Sequence, residues 1–295
     1  MKKIVPTETP GGKLVSMGLK KIHFVPNPGN AGDALIAAAT FQHFDEYGIE
    51  YVVGGLGGAQ EDYQALCYGG GGNLVPDYHD ASNWLKEATH SGLPVIVLPQ
   101  TIKGHEELLH SLGRNVHLFC RELVSYEYAS LACPNANVYL SHDLALSLIV
   151  DGVLAEFPAA VRTLLRSPRK AEVIKKLTKC LLLRCVGDIR PPFRISNDEL
   201  RVFRGDGERT VIESECDISN YFSVTALDKE TATLSAGLLL YALRPFENVF
   251  TNRLHVCIAA ALQGKQVRFF SNSYYKNEAV YKHSLENFPN VRWMG

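Results

Sequence analysis

The chain has 295 residues, 46% of them hydrophobic and 21% charged, with a formal net charge of −1. That length suits two hydrophobic cores rather than one. The near-neutral balance excludes a global attraction to nucleic acid or an anionic membrane, so an anion site must be a local cluster of Arg, Lys or backbone N–H groups.

Residues 1–18 read as a loose lead-in with Pro6, Pro10, Gly11 and Gly12. Met1-Lys2-Lys3 is followed by no apolar region, so no signal peptide is expected, and no apolar run reaches the roughly 18 residues of a membrane helix. An alternation follows. Strands are predicted over 21–25, 50–53, 63–68, 95–98, 116–120 and 137–140. Helices are predicted over 33–47, 81–90, 104–112 and 123–131. Residues 151–173 read as a domain connection with some helix, and 180–185 as the start of a second α/β unit. A helix over 229–243, a strand over 248–250, a helix over 254–263, a strand over 267–270 and a closing helix over 277–287 complete it. Residues 187–227 carry no readable period.

Strands alternating with helices predict parallel, doubly wound sheets. The expected domains are 1–155 and 156–295, both Rossmann-like, with the last helix able to pack back on the first. The seven Cys are scattered and contain no Cys-x-x-Cys, which argues against zinc or a dithiol centre. Cys67, Cys120 and Cys257 sit in apolar runs as small hydrophobes, and a reducing cytoplasm fits them. No metal-ligand cluster is apparent.

Polar motifs follow the apolar runs. In Asn27-Pro28-Gly29-Asn30-Ala31-Gly32-Asp33 the glycines allow a sharp turn, and Asp33 can cap the helix that opens there. Gly69-Gly70-Gly71-Gly72-Asn73 carries a backbone-entropy cost that a plain loop seldom needs. Close approach of a ligand or of the neighbouring loop is its natural reason. Gln100 and Thr101 follow Pro99. Arg121 follows Cys120, either as a fork-like donor to a carboxylate or phosphate or as the partner of Glu122 or Asp143. Arg253 and His255 open a helix, where the dipole, a guanidinium and an imidazole suit a doubly charged anion plus proton transfer. Asn272, Ser273 and Lys276 follow the next strand, and Arg184 is a lesser anion candidate.

The series Asn-x-Gly-Asp (30–33), Gly-Gly-Gly-Asn (70–73), Leu-Pro-Gln-Thr-Ile (98–102), Arg-Glu with Ser-Tyr (121–126), Asp143 and Arg-Leu-His (253–255) resembles the polysaccharide pyruvyl transferases. Asn272-Ser273-Tyr274 and Lys276-Asn277 look like that family's closing motif. Glu122 stands where the family usually has Asp, and Val256 where Gly often follows the His. The resemblance implies two Rossmann-like domains facing a central cleft, as in GT-B glycosyltransferases. It implies transfer of a pyruvyl group from phosphoenolpyruvate to a sugar of an exopolysaccharide, capsule or cell-wall precursor, giving a pyruvate ketal with no further cofactor.

On that basis His255 is the expected general acid, imidazole being the usual proton-transfer side chain, with Asp33 or Asp143 as base or sugar-orienting group. Arg121, Arg253, Lys276, Asn272 and Ser273 are expected at the donor. Asn30, Gly32, Gly70, Gly71, Gly72, Asn73, Gln100 and Thr101 are expected along the glycine loops and the acceptor. The implied acceptor is a sugar or lipid-linked oligosaccharide met in the cytoplasm. Peripheral contact with the inner membrane face and a homo-oligomer are compatible with it. Two other readings stay open: a nucleotide-sugar glycosyltransferase of GT-B type, and a non-catalytic glycan- or phosphate-binding protein.

Overall fold

The computed structural model describes residues 7–55, 62–185, 198–205, 217–224 and 227–295, with the side chains of 182–185 outside the description. Much of 187–227, Cys216 and the side chains of Arg184 and Cys185 therefore lie outside the described residues. The chain divides into two compact units. One comprises Met1–Asn27 and Ala39–Ser147; the other comprises Pro28–Ala38 and Leu148–Gly295.

In the first unit, α1 (Pro10–Ser16) precedes β1 (Lys21–Val25), α2 (Ala31–Glu46) and β2 (Glu50–Val53). Then come β3 (Ala65–Tyr68), β4 (Gly71–Leu74), α3 (Asp80–Ala88), β5 (Val95–Ile102), α4 (Glu106–Ser111), β6 (Val116–Cys120), α5 (Leu123–Ala132) and β7 (Asn137–Leu140). The sheet order is β2-β1-β3-β5-β6-β7, with β4 on β5, and every pairing is parallel. Central β5 is buried along its whole length, which is why it reads as a continuous apolar run.

Three local expectations change. The lead-in contains helix α1, with Pro10 in its first turn, where a missing N–H costs nothing. It docks through Gly11, whose N–H donates to His43 Nε2 at 2.9 Å. The glycine run is part strand, because Gly71–Leu74 pairs with the end of β5. And β5 runs through Pro99-Gln100-Thr101, with a register irregularity between Val97 and Gln100 on its β6 side, where a proline without an N–H is tolerated.

The second unit holds α6 (Val150–Leu165), α7 (Lys170–Cys185), β8 (Glu199–Val202), α8 (Ile218–Tyr221), α9 (Lys229–Leu243), β9 (Asn248–Thr251), α10 (Leu254–Leu262), β10 (Gln266–Phe269), α11 (Lys276–Val280) and β11 (Val291–Trp293). Its sheet has the order β11-β10-β9-β8, again all parallel. Residues 180–185, expected to open this unit, finish helix α7 instead. Helix α9 is apolar on nearly all sides and correspondingly buried, and it starts at a capping box between Asp228 and Thr231.

Candidate active site

In the first sheet the chain reverses direction across the sheet at β1 and β3. Ligands of open α/β sheets bind beyond the strand carboxyl ends at such a switch point. A buried polar cluster lies there. Tyr68 Oη donates to Asn27 Oδ1 at 3.2 Å, and Asn73 Nδ2 donates to both Asn27 Oδ1 and Tyr68 Oη. Asn73 Oδ1 is buried and accepts no hydrogen bond among the described residues. A Cβ on Gly69 would overlap the backbone of Asn27 and Pro26, so the neighbouring loop requires that glycine. Gln100 braces the same loop: its Nε2 donates to the Gly69 carbonyl at 2.7 Å and its Oε1 accepts from the Asn73 N–H at 3.3 Å.

Next to it, Arg121 is only 1% exposed. Its Nη1 donates to Asp143 Oδ2 at 2.8 Å and its Nε to Thr101 Oγ1 at 2.9 Å. The other oxygen of Asp143 accepts from the Ala145 N–H. The geometry thus realises the paired alternative for Arg121 and gathers Arg121, Thr101 and Asp143 into one buried group. Glu122 caps α5, accepting from the N–H and hydroxyl of Ser125. Ser125 Oγ also receives the Ile102 N–H, tying β5 to α5. Burial pushes the Glu122 carboxyl above the usual range, against the Ser125 hydrogen bonds and the Arg121 charge that pull it down.

In the second unit the first motif meets the last. Asn30 Oδ1 accepts from the Gly32 N–H at 2.7 Å, and Asp33 Oδ2 accepts from the Asn30 N–H at 2.9 Å. Gly29, at φ +155°, has no room for a Cβ beside the Asp33 carboxylate. A Cβ on Gly32 would lie 2.6 Å from His255 Nδ1 and 2.9 Å from His255 Cβ. The imidazole therefore packs against the bare Cα of Gly32.

His255 is the second residue of α10, and Arg253 is its N-cap, 4% exposed. The Arg253 fork is engaged by Asp217, with Nε to Oδ1 at 3.1 Å and Nη2 to Oδ2. Lys276 is buried, its ammonium 5.0 Å from the Tyr274 ring centroid. Asn277 Nδ2 ties the Asn252 and Phe270 carbonyls together, and Asn272 Oδ1 accepts the Asn277 N–H. Ser273 is exposed.

Three contributors escaped the sequence. Asp217 lies in the stretch without a period, and no signal marks it. Asn252 directly precedes Arg253, and that adjacency is the signal that could have found it, whereas Asn277 belongs to the expected closing motif. Tyr68, the last residue of an apolar strand directly before the glycines, could have been found as a hydroxyl delivered to the sheet edge.

Fold and site together define a parallel α/β protein whose polar groups collect just past the strand ends. The profile of the polysaccharide pyruvyl transferase family matches residues 30–274, and the chain belongs to that family of transferases. A functionally uncharacterised protein of Klebsiella pneumoniae has a similar structure. It shows a TM-score of 0.72 and 27% identity, with 97% of this chain and 96% of that one covered. A search of curated proteins gives no match.

Proposed function

We propose that the protein transfers the pyruvyl group of phosphoenolpyruvate to two hydroxyls of a sugar in an exopolysaccharide, capsule or cell-wall precursor, in the cytoplasm. We take its two units to be the two Rossmann-like domains of a GT-B-like fold. One observation carries the reading: the Gly32 backbone seats the His255 imidazole in the first turn of a helix whose N-cap is Arg253. That helix N-terminus carries both a proton donor and a cation, as an enol phosphate requires.

His255 delivers a proton to the methylene carbon, leaving an oxocarbenium-like centre. One sugar hydroxyl adds there and gives up its proton, and the C–O bond to phosphate breaks. The second hydroxyl adds and gives up its proton. One proton stays on the new methyl group and the other leaves with phosphate. We assign Asp33, which belongs to the same unit, the role of base or hydroxyl-orienting group. Arg253 and Lys276 take the phosphate and carboxylate. Asp217 already engages the Arg253 fork as a carboxylate ligand would, so a donor carboxylate or phosphate exchanges with it. Arg121, Thr101 and Gln100 hold the first-sheet edge that carries Asn73.

Calorimetry with phosphoenolpyruvate, and phosphate release with candidate galactosides or N-acetylmannosaminyl lipids, test the proposal. Arg253→Ala should weaken donor binding by roughly tenfold to a hundredfold, the loss expected when a charged hydrogen bond is removed. His255→Ala should lower turnover far more than donor affinity. Absence of phosphoenolpyruvate binding, with thermal protection by a nucleoside diphosphate instead, would favour a glycosyltransferase.

A further inference from the structure

Helix α7 buries Val173 and Cys180 on its inner side. On its outer side Ile174 and Leu181, seven residues apart and so on one stripe, are 47% and 59% exposed. Lys170, four residues before Ile174, shares that stripe, and Lys175 flanks it; both are exposed. The surroundings are strongly basic. Residues 162–184 hold eight Lys or Arg and a single acidic residue, Glu172, in a chain whose net charge is −1. Part of that charge is used internally: Arg169 pairs with Asp228, Lys176 donates to the Tyr221 carbonyl, and Lys179 lies over the Tyr221 ring. Arg162 and Arg166, towards the end of α6, are exposed and add to the local positive potential.

Two features on one helix face have to be explained together. Nucleic acid or an acidic peptide would use the cations but gains little from exposed Ile and Leu, with no aromatic ring on that face among the described residues to stack a base. A second copy of the chain would bring a like-charged patch against this one. An anionic lipid surface uses both features: branched apolar side chains enter the headgroup–acyl boundary while lysines reach the phosphates. No helix among the described residues is long and apolar enough to cross a membrane, so the contact would be peripheral.

We propose that the outer face of α7 docks on anionic lipid, with Ile174 and Leu181 inserted and Lys170 and Lys175 on the headgroups. The proposal stands independently of the pyruvyl-transfer reading, since donor binding does not enter its test. The full chain is sedimented with vesicles of phosphatidylcholine plus phosphatidylglycerol and with vesicles of phosphatidylcholine alone. Binding is expected to the mixed vesicles only, and to weaken as salt rises. Ile174→Asp with Leu181→Asp, and separately Lys170→Glu with Lys175→Glu, should each reduce it by about tenfold or more. These positions are exposed, so the melting temperature should stay unchanged. Three results would overturn the proposal. The first is no selectivity for the anionic vesicles. The second is wild-type binding by the Asp variant. The third is a dimer, seen by sedimentation velocity, that the Asp variant dissolves.

Discussion

At Gly32 a methyl group would lie 2.6 Å from the ring nitrogen of His255, closer than real side chains approach. Gly32→Ala should therefore push the imidazole off its position. We expect turnover to fall by roughly a hundredfold, the usual cost of misplacing a reacting group by about 1 Å. Stability should drop by only about 1–3 kcal/mol, as for overpacking elsewhere. Steady-state kinetics beside a denaturant titration separates the two; wild-type turnover would show that Gly32 does not set His255. At Arg121 the opposite holds, because stability carries the effect. Arg121→Met leaves the Asp143 carboxylate buried without its cation, at a cost of about 3–5 kcal/mol. Adding Asp143→Leu should recover most of that loss in urea unfolding. An unrecovered double variant would mean that the pair acts through Thr101 rather than through its charge.

The elements follow from apolar runs where the runs are unbroken. Strands β1, β6 and β7 and helices α5, α9 and α10 were readable for that reason. Elements that depend on a partner were not. Strand β4 is half glycine and exists because the end of β5 offers it hydrogen bonds. Helix α7 is apolar enough at its end to read as the start of a new α/β unit. Helix α1 depends on a neutral His43, whose Nε2 accepts the Gly11 N–H. Burial holds the pKa of His43 below its ordinary value, against the opposing Glu46 charge. A folded pKa depressed below the unfolded one gives stability that is full above roughly pH 6.5 and is lost as pH falls through the folded value. The melting temperature should therefore drop on acidification from pH 7.5 to 5. His43→Gln should flatten that part of the curve, and parallel curves for the two proteins would assign the drop to other groups.

At the scale of the whole molecule, the segment Pro28–Ala38 is grouped with residues 148–295 although it precedes them by more than a hundred positions in the chain. Ala31, Ala34 and Leu35 in that segment are fully buried. A fragment of residues 148–295 should for that reason unfold without a cooperative transition in calorimetry; a sharp transition like that of the full chain would show that the unit does not need the segment. By itself the sequence determined the parallel α/β class and the order of the family's motifs, because strand runs and motif spacing are properties of neighbouring residues. Only the tertiary structure decided that Arg121 is spent on Asp143, that Asp217 engages the Arg253 fork, that Gly69 yields to a backbone rather than a ligand, and that Gly32 lies against His255. Those are contacts between residues distant in the chain, and which charge meets which, or which glycine faces which ring, depends on how the elements pack rather than on the local pattern that forms them.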